Sequence, residues 1–284
     1  MANTFLTIKN IARQALPRLI ENLVFPNLIY RDYSNDFEVG KGATIQVRRP
    51  VTLTAKEFTY KIDPQDVSEQ SVEVTLNKLA TVDVAFGALE RAVNVDDLNR
   101  LFIEPAAVAL AQKINADGLT LLSEITATAG SSSAALEGLE AFSGAAKVLD
   151  EAKVPLSMRR GVWSPEAMAE FRTVPSIVNA EKSGDTSALR AGSIGNIFGI
   201  ENYMAQGVTG MAGAVFHQNA FAFVTRPLAA PAGVEAYTTS YNGITLRVVR
   251  GYDMSVKSEM LSMDVLYGYK TLDANMAVKV NPTA

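Results

Sequence analysis

The chain has 284 residues, 48% hydrophobic and 20% charged, with 26 basic against 30 acidic side chains and a net charge of −4. This is the composition of a folded chain of one or two domains rather than a disordered or fibrous one, and the acidic balance argues against nucleic-acid binding through bulk charge. The absence of cysteine removes disulfides, thiolate metal sites and cysteine nucleophiles.

Residues 4–24 place Ile8, Ala12, Ala15, Leu19 and Leu23 at helical spacing, which predicts an amphipathic helix kinked or restarted at Pro17 and in need of a partner surface. "YRDYSNDFEVGKG" then reads as an extended connector. From Ala43 to Phe86 the pattern alternates, through Ile45 and Val47, then Val72, Val74 and Leu76, then Val82, Val84 and Phe86, and predicts strands. Between them "TLTAKEFTYKIDPQDVSEQS" is polar, so a hairpin there has a tip with little core of its own. A protruding two-stranded arm borrows stability from whatever it lies upon, which points to a neighbouring subunit.

Residues 95–125 form the longest helical candidate, with Asn94 or Asp96 as cap. Asp97, Arg100 and Glu104 share one face while Lys113, Asp117, Thr120 and Glu124 share another, so the helix buries different sides along its length or bends near Pro105. "ATAGSSSAA", 127–135, reads as a flexible link. After it come a helix with Phe142, Ala145, Leu149 and Ala152 on one face, a strand at "GVWS", and a helix capped by Ser164 with Pro165 at its first position. From Val215 onward the segments "VFHQNAFAFV", "VEAYTTS", "ITLRVVRGYDMSV", "MLSMDVLYGYK" and "AVKV" are strands. The fold class is α+β. No run of about eighteen apolar residues and no secretory layout at the start lead us to expect a chain kept in the cytosol.

The most site-like stretch is "RAGSIGNIFGIENYMAQGVTG". A dinucleotide fingerprint needs a strand, G-x-G-x-x-G and then a helix whose amides meet the pyrophosphate. Here Gly192, Gly195 and Gly199 have other spacing, loop-like residues precede them, and a strand follows. The expected role is tight turns and close strand packing. Gly40-Lys41 is followed by Gly42 where a phosphate loop needs Ser or Thr. His217, the single histidine, lies among apolar strand positions and reads as a hydrogen-bonded structural residue. No G-x-S-x-G occurs. The acid pairs Asp96-Asp97 and Asp150-Glu151 read as solvated helix surface, and Asp63, Asp66 and Glu69 as a charged arm tip without calcium-site spacing. Arg48-Arg49 and Arg159-Arg160 read as solvated or inter-subunit arginines, with phosphate contact as the alternative.

In "DTSALRAGSIGNIFGIENYMAQGV", "AVFHQNAFAFVTRPL" and "NGITLRVVRGYD", and in the order of its elements over essentially its whole length, the chain resembles the major capsid proteins of tailed bacteriophages. These share the Hong Kong 97 fold with encapsulin shells, and the likeness is closest to the podovirus-type coat proteins. The resemblance implies an N-terminal arm over 1–43 and an extended loop over 44–86. It implies a peripheral domain with its spine helix over 87–130 and 243–284, and an axial domain over 131–242. It further implies self-assembly as pentamers and hexamers into an icosahedral head around double-stranded DNA, with no enzyme activity, cofactor, metal or membrane. A separate scaffolding protein follows from the resemblance, because a strand pattern starting near residue 44 leaves no room for a fused one; portal and decoration proteins are further implied partners. The inserted domain of many podovirus-type coats does not fit in 284 residues. Candidate inter-subunit contacts are Lys56, Glu57, Phe58, Tyr60, Lys61, Asp63, Asp185 and Arg190. The implied location is the virion, with assembly in the host cytoplasm. An encapsulin-type shell is the alternative, and an enzyme of unknown class, working with one histidine and no cysteine, the remote one.

Overall fold

The computed structural model describes residues 8–31, 44–48, 55, 57, 71–86, 103–131, 133–178, 194–241, 243–255 and 258–282. The first helix, α1, spans Ile8–Asn22 with Pro17 inside it. Its stripe of Ile8, Ile11, Ala12, Ala15, Leu16 and Leu19, continued by Leu23, is buried, and each large aliphatic contributes about 1.5–3 kcal/mol by leaving water. The expected partner surface is a sheet and a second long helix, α3, Glu104–Leu119. A single turn between them, α2 at Phe25–Leu28, is held by Asn115 of α3: its Oδ1 accepts from the Val24 and Phe25 amides at 3.0 and 3.2 Å, and its Nδ2 donates to the Asn22 carbonyl.

The described part of the spine helix begins at Ile103, and Pro105 sits in the first turn, where a missing amide is tolerated; the expected caps Asn94 and Asp96 lie outside the described residues. Its last stretch tightens into a 3-10 turn over Thr120–Glu124. The polar face Lys113, Asp117, Thr120, Glu124 is found as expected. Lys113 Nζ reaches Asp117 at 3.0 Å, the Thr120 hydroxyl donates to the Asp117 carbonyl, and Glu124 accepts from Thr271.

Strands β3 (Lys78–Phe86), β9 (Phe221–Arg226), β10 (Glu235–Tyr241), β11 (Ile244–Asp253) and β12 (Ser258–Thr271) form a five-stranded sheet, with β10, β11, β12 and β3 in line and β9 pairing the far half of β12. All its pairings are antiparallel. Alternation puts Ile244, Leu246, Val248, Leu261, Met263, Val265 and Tyr267 on the face buried under α1 and α3. On the opposite face Arg247 pairs with Asp264 at 2.5 Å and Ser262 donates to Asp264, while Ala222, Val224 and Leu266 form an apolar patch.

Tyr267 and Tyr269 pin α3 to this sheet. Tyr267 donates to Asp117 Oδ2 at 2.5 Å, and Tyr269 to the Ile114 carbonyl at 2.9 Å. Burial alone would raise the Asp117 carboxyl, but hydrogen bonds from Tyr267 and Lys113 and the charges of Lys78 and Lys113 outweigh it and hold the group below its usual range. A depressed carboxylate stabilises the fold above its unfolded value, about 3.9, and that contribution disappears as pH falls through the folded value. Thermal melts of Asp117→Asn should show a loss of about 1.5–3 kcal/mol at neutral pH. The difference from the native chain should shrink below about pH 4; an equal difference at pH 3 and pH 7 would refute the assignment.

A six-stranded sheet in the order β4, β13, β8, β5, β7, β6 forms the other half. Its members are β4 (Ala127–Ala129), β5 (Arg159–Trp163), β6 (Asn196–Ile197), β7 (Ile200–Met204), β8 (Met211–His217) and β13 (Ala277–Pro282). One face, with Val162, Ala214, Phe216 and Ala277, joins the core around α1 and α3. The other, with Trp163, Ile200, Val215, Val278 and Val280, packs on α4 (Leu139–Glu151) and α5 (Pro165–Phe171). A short α6, Pro175–Val178, follows. Phe142, Trp163 and Phe171 meet edge-to-face or tilted, with ring centroids 4.5 to 4.8 Å apart. The Ser164 hydroxyl accepts from the Ala167 amide with Pro165 at the helix start, as expected. Ser164→Ala should cost about 1 kcal/mol in a denaturant titration, and no measurable change would show that the cap is dispensable.

One expectation is corrected. "ATAGSSSAA" is not a free link: Ala127–Ala129 pairs parallel with β13, Ser131 and Ala134 bridge, and a Cβ on Gly130 would lie 2.2 Å from Asn281 Oδ1. Sheet membership does not follow the order of strands along the chain. β9, from the 131–242 stretch, lies in the five-stranded sheet, and β13, from the 243–284 stretch, lies in the six-stranded one. Periodicity identifies a strand but carries no information on which sheet its backbone amides join.

Candidate assembly surface

β1 (Thr44–Arg48) and β2 (Ser71–Thr75) pair antiparallel from Thr44 opposite Thr75 to Arg48 opposite Ser71; of residues 49–70 between them, only 55 and 57 are described. Its base is anchored. Val74 and Leu76 are buried against Ala222, Val224 and Leu272, and the chain crosses β12 so closely at Gly268 that a Cβ there would lie 2.2 Å from the Thr75 carbonyl oxygen. Beyond the base, Thr44, Gln46, Ser71, Glu73 and Thr75 are exposed, with Gln46 meeting Glu73 at 3.5 Å. The antiparallel pairing is what the alternation in the sequence predicts, and the root it does not predict rests on this chain's own Ala222, Val224 and Leu272.

Of the candidate contact residues, Glu57 is described and is exposed. Lys56, Phe58, Tyr60, Lys61, Asp63, Asp185 and Arg190 lie outside the described residues, as do Gly40-Lys41, Arg49, Asp66, Glu69, Asp96-Asp97 and Gly192.

The described part of the glycine-rich stretch contains a hairpin. β6 and β7 pair Ile197 with Ile200, leaving Phe198 and Gly199 as the turn at φ of 51° and 78°. A strand follows the glycines, so no helix amino terminus is aimed at a ligand. A nearby cleft of about 460 Å³ between α1, α3 and the end of β7 is lined by Phe25, Leu119, Met204 and Gln206, and the charged residue on its wall is Glu21, unsuited to a phosphate.

The arginine pair behaves differently from the sequence expectation. Arg159 is 2% exposed, donates to the Val154 and Pro155 carbonyls at 2.6 and 2.9 Å, and pairs with Asp150 at 2.8 Å. Arg160 donates to the Leu28 carbonyl at 2.5 Å. Arg159 is an internal strut rather than a solvated side chain, Arg160 is partly buried and tied within the chain, and Asp150 is a partner rather than idle helix surface. An adjacent pair carries no sign of this, because its partners are mostly carbonyls supplied by the fold. His217 is buried, and its Nδ1 accepts from the Asn219 amide at 3.2 Å. Burial, then the charges of Arg159 and Arg160, lower its affinity for a proton, leaving a neutral structural histidine. Among the described residues no three His, Asp or Glu side chains converge in a metal-holding group.

No family model and no curated protein matches the chain by sequence. By structure, it is similar to a chain of Mycobacterium phage Che8, at 22% identity and a TM-score of 0.68, covering 90% of each chain. It is also similar to the capsid of the Cyanophage P-SCSP1u, at 14% identity and a TM-score of 0.62, covering 87% of this chain and 85% of that one. The chain has the Hong Kong 97-type capsid fold. A virus-like particle from Pyrococcus furiosus shares it at 10% identity and a TM-score of 0.57, covering 99% and 100%. In this capsid fold the anchored hairpin, the spine helix and the six-stranded sheet are all present; Gly199 serves the turn that the sequence led us to expect, but Cβ atoms on Gly195 and Gly199 would meet nothing within 4 Å, so the expected close packing is not found there.

Proposed function

We infer that the chain is the major capsid protein of a tailed phage, assembling with itself as pentamers and hexamers into the icosahedral head that encloses double-stranded DNA. The observation that carries this reading is the hairpin rooted by Val74, Leu76 and Gly268 within a capsid fold. An arm on one side and a receiving body on the other make a head-to-tail contact that closes into rings, and many weak contacts around a closed shell sum to a stable particle. A net charge of −4 suits a container: a strongly basic lining would hold DNA electrostatically as it entered. The division into extended loop, peripheral and axial domains is part of this reading, and its extended loop is supported by the anchored hairpin. Scaffolding, portal and decoration proteins are the partners of this reading, and the head of the virion, after assembly in the host cytoplasm, its location.

The likeness to the Pyrococcus furiosus particle supports a nanocompartment shell as the second reading, at lower identity and TM-score than the phage structures. Sedimentation and negative-stain microscopy of the chain, expressed alone and with its neighbouring genes, test both. Closed shells or capsomer rings support a shell protein, and packaged DNA against packaged enzyme separates head from compartment. A monomer under every condition refutes both.

A further inference from the structure

Among the described residues the chain passes between the two large sheets three times: through α3, from β8 to β9, and from β12 to β13. The last two crossings are short and lie side by side. Each makes one 3-10 turn, Gln218–Ala220 in the first and Ala274–Met276 in the second. The Ala220 carbonyl joins them, accepting from the Leu272 and Asp273 amides at 2.8 and 3.1 Å. Both turns are capped in the same way, by a side chain that accepts from the amide two residues on: Asp273 Oδ1 from Asn275 at 3.0 Å, and His217 Nδ1 from Asn219 at 3.2 Å. A carboxylate and an imidazole therefore hold equivalent positions, and imidazole is the group that changes charge in the mildly acid range.

The His217 cap works only with a neutral ring. Nδ1 accepts through its lone pair, which places the hydrogen of the neutral ring on Nε2. A second proton turns Nδ1 into a donor facing the Asn219 amide, itself a donor, and the bond is lost. The surroundings oppose the added charge. His217 is 6% exposed, Arg159 stands opposite it on β5 with Arg160 next in that strand, and burial followed by these two charges lowers its proton affinity. The carboxylates of the packed elements are engaged: Asp150 of α4 pairs with Arg159 at 2.8 Å, Glu151 with Lys147 at 3.8 Å, Glu201 of β7 lies 3.7 Å from Arg160, and Asp273 caps its own turn. The loop before β5, whose Met158 carbonyl accepts from the Gln218 amide, adds the cation Lys153, and the charge on β13 is Lys279, its Nζ on the Ser123 carbonyl. We propose that His217 is an acid-released latch between the two sheets: a proton taken from solvent onto its ring frees the 218–220 turn, uncouples the two crossings, and leaves α3 as the connection about which the sheets pivot. The latch belongs to the single chain and does not rest on the capsid reading.

Amide hydrogen exchange of the native chain tests it. By linkage, a ring whose proton affinity is lowered in place holds the latch fully above about pH 6.5, the ordinary histidine value, and loses that contribution as pH falls toward the latched value. Corrected for intrinsic rates, protection at Asn219, Leu272 and Asp273 should fall about tenfold between about pH 7.5 and about pH 5, the effect of one unit of pKa difference between latched and released ring, while Leu110 and Ile114 inside α3 keep theirs. His217→Asn keeps an acceptor for the amide two residues on and does not titrate, so its three amides should hold the neutral-pH protection at both pH values. Equal pH dependence in this variant, or a loss spread through α3, would overturn the proposal. Should the variant misfold, the native chain still decides, because it holds one histidine and its ring resonances report His217 directly. Their midpoint should lie below about 6.5, and the loss of protection should level off there. A midpoint at or above that value, or protection indifferent to the titration, overturns the latch.

Discussion

Deleting residues 54–70 is expected to leave a folded, soluble protein that forms no shells. The cut leaves positions 49–53 to close the hairpin, a five-residue loop of ordinary length for one, so the pairing of Thr44–Arg48 with Ser71–Thr75 can persist. The root cluster of Val74, Leu76, Ala222, Val224 and Leu272 lies wholly outside the deletion. Melting should therefore shift little while assembly is abolished, because only the reach of the arm to a neighbour is lost. Far-ultraviolet dichroism with thermal melting reads the first effect, and sedimentation with microscopy reads the second. Normal particles from the deleted chain would remove the arm from the assembly mechanism.

The second large effect is expected at Gly268. A Cβ there would approach the Thr75 oxygen to 2.2 Å, the Thr75 carbonyl carbon to 3.0 Å and the Leu76 Cα to 3.2 Å. These are backbone atoms, so the conflict has no cheap rotamer solution. Gly268→Ala should cost about 1–3 kcal/mol or more, lowering the melting temperature by about 2–4 °C for each kcal/mol. The displacement falls on the segment that carries Val74 and Leu76 into their pocket, so the arm root should also become sensitive to protease, and assembly should fall with it. A variant that melts and assembles like the native chain would show that the crossing is not tight in solution.

Gly268 also marks where sequence reasoning stopped. A glycine inside the strand pattern "VLYGYK" is a recognised sign of close backbone approach, yet nothing local names what approaches. The crossing segment lies almost two hundred positions earlier in the chain. Phe198 is a similar case. Its neighbours mark a turn, but that an aromatic occupies the left-handed position and stays exposed is visible only once the register of β6 on β7 is known.

By itself the sequence determined most of the elements: the stripe of α1, the alternation of β1 to β3, strands at β10 to β13, the cap at Ser164, the polar face of α3, and a glycine used for a turn rather than phosphate, but it read "VFHQNAFAFV" as one strand where the 3-10 turn Gln218–Ala220 separates β8 from β9. Each follows from local geometry, the helical or strand period and the φ that a residue tolerates. It also determined the order of elements, and that order carried the family resemblance. Tertiary structure decided what local rules cannot reach. It assigned β9 and β13 to their sheets, turned Ala127–Ala129 from a link into a strand, buried Arg159 on the Val154 and Pro155 carbonyls, and tied Arg160 to the distant Leu28 carbonyl. Strand pairing and charge burial depend on which backbone groups are left unpaired in the folded chain, a property of the whole arrangement rather than of any window of residues.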